Sequence, residues 1–233
     1  MAWFYWGRRP IWPGGAGQGM AWQGMARQGF IFNKQGKKMT KVKANIEIEG
    51  CKPFLWHTFP LDALSTTKKR EGTTGDNKSE WKETVLMDND RRLYIYNSYL
   101  LSSIADGGKE IKQGRGNISK KVSSTLDIEE YRLFLTDLTV PSEDDLTRND
   151  TDIVYLDVRA VVNPMTKGRN LRYRIAARPG WKLKFIVGWD DRILSKDQIK
   201  SCIENAGDLQ GIGDGRGLGF GRFKLLKFEM IKN

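Results

Sequence analysis

From Gly211 to Gly221 every second residue is glycine, and Arg216 and Arg222 stand inside and beside the run. Glycine admits positive φ and lets another backbone come close, at an entropic cost relative to alanine. A chain reversal needs one or two such residues. Gly211, Gly213, Gly215, Gly219 and Gly221 together with Arg216 and Arg222 suit a cradle of backbone N–H groups around a phosphate. The run is not one of the familiar nucleotide loops. No register satisfies G-x-G-x-x-G, no Gly-Lys-Ser/Thr closes it, and a helical pattern precedes it where those motifs place a strand. The competing reading is a flexible glycine hairpin with solvated arginines.

Other residues offer chemistry of the same kind. Lys109, Lys112, Arg115, Lys120 and Lys121 surround Gly114 and Gly116, a flexible basic loop that fits a phosphate backbone without fixed geometry. Arg159, Arg169, Arg172 and Arg174, with Lys167 and Arg178, form a basic ribbon on two strand-like segments, and so many charges of one sign favour an anionic partner. His57 is the only histidine. It is a general acid or base near pH 7 in one reading, and a packed side chain beside Trp56 in the other. Glu143, Asp144, Asp145, Asp150 and Asp152 crowd one loop after Pro141 without a distant matching set. They read as a solvating loop, so no metal or cofactor is expected.

The helix before Ala206-Gly207, then Gly211-Ile212-Gly213-Asp214-Gly215-Arg216 and Gly219-Phe220-Gly221-Arg222-Phe223, resembles the C-terminal signature of the CRISPR-associated RAMP superfamily. The likeness is to its backbone-subunit branch and that branch's phage and mobile-element relatives. Looser similarities extend it to Val42: Glu49-Gly50 to Phe59 resembles the segment after the family's first strand, and Tyr94 to Gly116 its first helix and basic loop. The resemblance implies a ferredoxin-like (RRM-type) core whose glycine-rich loop contacts RNA.

The elements that must position these residues follow from patterning. The chain has 233 residues and a net charge of +11, enough length for one core. Residues 1–38 contain six basic side chains, no acid and no periodic apolar pattern, so they read as a disordered leader before a start at Met39. The remaining residues carry a net charge of +5, and distribution matters more than the total. No apolar run is long enough for a membrane span.

Val42–Ile48 alternates as a strand ended by Gly50, and Thr66–Lys78 reads as a mobile loop. Trp81–Met87 and Arg92–Tyr96 flank Asp88-Asn89-Asp90-Arg91 as a hairpin. Ser98 caps a helix stopped by Gly107-Gly108. Ile153–Val162, a turn over Pro164–Arg169, and Leu171–Arg178 form a second hairpin. Trp181–Trp189 is a strand, Ser195 caps a short helix to Ala206, and Phe223–Phe228 is the last strand. The expected fold is α+β: a ferredoxin-like core with inserted β-hairpins and a C-terminal glycine-rich loop. The sequence lacks the Lys/Arg-Gly-Phe/Tyr-Gly/Ala-Phe signature of a base-stacking sheet. Cys51 and Cys202, without a C-x-x-C, read as reduced cytoplasmic thiols.

The leading expectation is a non-enzymatic, sequence-tolerant protein that binds the backbone of single-stranded RNA in a CRISPR-type or mobile-element system, alongside copies of itself or other effector subunits. Two alternatives stand beside it. One is a metal-independent guide-processing endoribonuclease with His57 as base. The other is a phage protein that binds single-stranded DNA.

Overall fold

The alternation of Val42, Ala44, Ile46 and Ile48 with polar residues becomes strand β1, Lys41–Gly50, whose even-numbered side chains enter the core. The computed structural model describes residues 41–58, 78–162 and 167–232, all belonging to one compact unit, Thr40–Asn233. After β1 come β2 (Phe54–Leu55), helix α1 (Glu80–Thr84), β3 (Arg92–Tyr96) and helix α2 (Asn97–Gly107). A short ribbon β4 (Lys112–Gln113) and β5 (Gly116–Asn117) leads to α3 (Ser119–Thr125), β6 (Asp127–Ile128) and β7 (Arg132–Thr139). The long hairpin β8 (Val154–Val162) and β9 (Arg169–Ala177) precedes β10 (Lys182–Asp190), α4 (Lys196–Asn205) and β11 (Phe223–Ile231).

The main sheet runs β11-β1-β10-β7-β3, with β6 also paired to β10, and every pairing in it is antiparallel. A second sheet, β2-β9-β8, is also antiparallel. The protein is thus α+β with antiparallel sheets. Leu183, Phe185, Val187 and Trp189 of β10 are buried and continue the core begun by β1. Helices α2 and α4 pack side by side. Ser195 Oγ accepts from Gln198 N at 3.2 Å while Gln198 Oε1 accepts from Ser195 N at 2.9 Å. This capping box satisfies two N–H groups that the first turn of α4 would leave open, and Ile199, Cys202 and Ile203 are buried below it. Burial pushes the Cys202 thiol up to about 12, and both cysteines are free.

Three expectations change. Trp81–Met87 is not a strand: Glu80–Thr84 is helical, with Trp81 and Thr84 buried one turn apart, and only Met87 bridges to Leu93. The true partner of β3 is β7, a segment whose apolar alternation (Leu133, Leu135, then Leu138) is interrupted at Asp137, where φ is 57°. The stretch Lys109–Lys121 is not a featureless loop, because it contains a 3-10 turn, the β4–β5 ribbon and the start of α3. Helix α2 begins at Asn97 with Tyr96 in the cap position and no side-chain cap bond, so Ser98 is not its cap. Residues 1–39, read above as a leader and start, residues 66–77 of the expected loop and the turn over Pro164–Thr166 lie outside the described residues.

Candidate nucleic-acid interface

Helix α4 runs into a π-helical turn, Ala206–Gln210, and the glycine run then folds back on itself before β11. Gly211, Gly213, Gly215, Gly219 and Gly221 all have positive φ, between 67° and 86°. Two show why a side chain is excluded. A Cβ on Gly221 would lie 1.7 Å from the Ile212 carbonyl oxygen, and one on Gly213 would lie 2.8 Å from the Leu55 carbonyl oxygen. The loop is fastened from both sides: Gly221 N donates to Pro53 O at 2.8 Å, Asp214 N to Leu55 O at 2.9 Å, and Ile212 N to Gly221 O at 3.0 Å. From α2, Ser103 Oγ donates to Gly211 O at 2.8 Å in a buried contact. The loop is a packed element, not a loose hairpin.

Among the described residues, the N–H groups of Gly213, Gly215, Arg216 and Gly217 have no intrachain acceptor. They belong to residues that line a hollow of about 600 Å³ with Gln210, Asp214 and Arg222. A smaller hollow of about 160 Å³ joins Gly213 and Arg216 to Tyr99 and Ser102 of α2. Gly215, Arg216 and Gly217 are consecutive, and consecutive free N–H groups can make an anion-binding concavity. Arg216 Nη1 lies 3.5 Å from Asp106 Oδ2, and Asp106 Oδ1 lies 2.6 Å from Lys109 Nζ. One carboxylate therefore joins the glycine loop to the basic segment that starts at Lys109. Arg222 donates to the Asp208 carbonyl oxygen at 2.6 Å. The Tyr99 phenol is held above its ordinary range by burial first, then by the nearby Asp214 carboxylate and Tyr96.

The arginine ribbon is rearranged. Arg174 does not face solvent: it is 6% exposed, donating to Asp214 Oδ2 at 2.6 Å and Asp157 Oδ2 at 3.2 Å. The reason is that β9 is covered on both sides from Tyr173 to Ala177. Ile175 and Ala177 join the main core, while Ala176 packs with Leu55, Tyr155 and Phe220 of the glycine loop. Arg174 is thus a strut beneath the loop, tying Asp214 to the hairpin. Arg159 bonds Asp157 at 2.7 Å and places its guanidinium carbon 4.6 Å from the Phe220 ring centroid. Arg172 pairs with Glu80 of α1. Arg169 sits exposed at the far end of the hairpin, opposite Val162. Lys112, Arg115, Lys120 and Lys121 are exposed on the β4–β5 ribbon and the first turn of α3.

His57 lies at the foot of the loop. Burial lowers its pKa first, the Asp214 and Glu80 carboxylates act to raise it, and Arg172 and Arg174 lower it further. Its Nδ1 is buried and finds no hydrogen-bond partner among the described residues. The acidic stretch after Pro141 is held by local turn bonds such as Ser142–Asp145 and Thr147–Asp152. No group of His, Cys, Asp and Glu among the described residues could hold a metal. No described helix is long and apolar enough to cross a membrane.

Sequence reasoning missed Asp106, Asp157, Asp214 and Phe220 as the residues that organise the arginines. Asp214 stands within the glycine motif itself, but its partner Arg174 lies 40 positions away, a distance at which no local pattern operates.

No protein-family model matches the chain, and no curated protein matches it in sequence. The fold is similar to a chain in the cryo-EM structure of the Type III-B Cmr-beta bound to cognate target RNA. The TM-score is 0.50 at 13% sequence identity, covering 82% of this chain and 61% of that one. The chain thus spans less than two thirds of that neighbour's length. At this identity the likeness is one of fold.

Proposed function

We propose that the protein binds the sugar–phosphate backbone of single-stranded RNA without reading its sequence, as a RAMP-type component of a CRISPR-type or related mobile-element system. The carrying observation is that Gly213, Gly215, Arg216 and Gly217, whose amides find no acceptor among the described residues, line one hollow together with Arg222. Backbone N–H groups and arginine are the usual donors to phosphate oxygens, and they carry no base information. The order β11-β1-β10-β7, with crossovers that include α2 and α4, matches a split β-α-β pair and supports the ferredoxin-like reading. The similar chain comes from a structure bound to cognate target RNA, which supports RNA as the ligand.

Binding rather than cleavage is the proposed activity. Burial lowers the His57 pKa from its ordinary value, yet nothing among the described residues accepts from or donates to its Nδ1. A general base is normally oriented by such a bond.

The test is fluorescence anisotropy with unrelated single-stranded RNAs and matched DNAs at several salt concentrations. Arg216→Ala is expected to weaken every RNA alike by roughly 1.5–3 kcal/mol, the range for a bond to a charged group. The salt slope should fall by about 0.7 for the lost single-strand contact. A change in sequence preference, or parent-like binding by a folded variant, would refute the phosphate reading. Tighter binding to DNA would redirect it to the single-stranded-DNA alternative, and a defined cut lost in His57→Ala would establish the nuclease.

A further inference from the structure

The face of β3 and β7 opposite Leu93, Ile95, Leu133 and Leu135 carries a line of rings. Phe134 and Tyr94 are directly opposed across the strands, as are Arg132 and Tyr96. Ring centroids are 5.7 Å apart from Phe134 to Tyr94, 5.6 Å from Tyr94 to Tyr96 and 5.0 Å from Tyr96 to Tyr131. Guanidinium groups interleave with them: Arg132 Cζ lies 5.1 Å from the Tyr94 centroid and Arg92 Cζ 4.9 Å from that of Phe134. Tyr131 is 65% exposed and Phe134 40% exposed, so the outer rings do little for the core. Arg92 is held by Asp88 at 2.7 Å, whereas Arg132 has no acidic partner among the described residues.

Exposed rings beside an unpaired guanidinium suit a ligand that is planar, apolar on its faces and anionic along its length. Single-stranded nucleic acid has that chemistry, since its bases stack on aromatic rings and on arginine planes while its phosphates meet the charge. Tyr96 ends β3, and Tyr99 in the first turn of α2 lines the hollow shared with Gly213 and Arg216. We infer that the surface formed by Tyr131, Tyr96, Arg132 and Phe134 stacks unpaired bases of the RNA whose backbone the glycine loop holds. This rests on the proposed function and adds to it where the bases go.

The test uses the full chain with Tyr131→Ala and Phe134→Ala, singly and together, checked for folding by circular dichroism. Two labelled probes are compared by anisotropy: a single-stranded RNA and an abasic strand of the same length. Each alanine change is expected to weaken RNA roughly tenfold and leave the abasic strand unaffected, with Tyr131→Phe retaining the parent affinity. Arg216→Ala should weaken both probes alike. Parent-like RNA binding by the folded double variant overturns the stacking surface alone, as do equal losses on both probes. A change of sedimentation coefficient in Tyr131→Ala with RNA affinity intact also overturns it and assigns the face to a protein contact. If the parent binds neither probe, the proposed function and this inference fall together.

Discussion

Arg174→Met separates an arginine that supports the loop from one that touches the ligand. The Arg174 side chain is 7% exposed, and its partners Asp157 and Asp214 are 5% and 34% exposed. Removing one partner of a buried pair typically costs about 3–5 kcal/mol, because a desolvated charge is left behind. Here the loss should fall at the lower end, about 3 kcal/mol, since Arg159 still holds the other oxygen of Asp157 and Asp214 reaches water. For a chain of this size that is a Tm lower by roughly 6–12 °C. The loop should loosen too, because Asp214 also anchors its backbone to Leu55. Calorimetry measures the first effect, and RNA anisotropy at several salt concentrations the second. Affinity should fall with the salt slope unchanged, in contrast to Arg216→Ala. Adding Asp214→Asn should restore part of the stability, since the two changes share one contact. A variant that melts with the parent and loses about one ion from its salt slope would show that Arg174 faces the ligand, and the strut would be wrong.

Three further outcomes are expected. In urea unfolding Gly221→Ala should lose at least about 2 kcal/mol of stability, from left-handed backbone strain and the clash with Ile212, while Gly217→Ala, which meets nothing and lacks positive φ, should stay within about 0.5 kcal/mol. Because the folded-state pKa of His57 is lowered, the unfolded chain takes up that proton first; the parent should therefore lose Tm relative to His57→Gln as pH falls through about 6.5, and a constant difference from pH 8 to 5 would contradict this. A chain beginning at Met39 should melt within about 2 °C of the full chain, and a large fall in a calorimetric scan would make the leader part of the fold.

Where one side of an element meets the core and the other meets water, the sequence is readable. Strands β1 and β10 and helix α4 carry clean periods, and Ser195 marks the start of α4 at the right residue. Legibility fails where both sides are covered. Alternation in β9 predicts Arg174 outward, but the glycine loop lies over that side and turns the charge into a buried contact. It also fails at Asp137, where an irregular residue breaks the period of β7 and hides the partner of β3. The glycine motif was visible as a string, yet its division of labour was not. Gly221 and Gly213 press against other backbone, whereas Gly217 and Gly219 have open space around them. For Gly221 that backbone is Ile212 of the same loop, but for Gly213 it is Leu55, more than 150 positions earlier in the chain.

The placement of β1 between β10 and β11 governs the order of assembly. The first strand has both its partners in the last third of the chain, and the glycine loop is closed by bonds to Pro53, Leu55 and Ser103. Such pairings are non-local, so their loop-closure entropy precedes any gain and folding is expected to be slow. During synthesis β1 remains an unpaired edge until β10 emerges, and a half-paired one until Phe223–Ile231 follows. Edges of this kind recruit other chains. Docking of the last strand completes the sheet next to the glycine loop that precedes it, so an incompletely made chain lacks both.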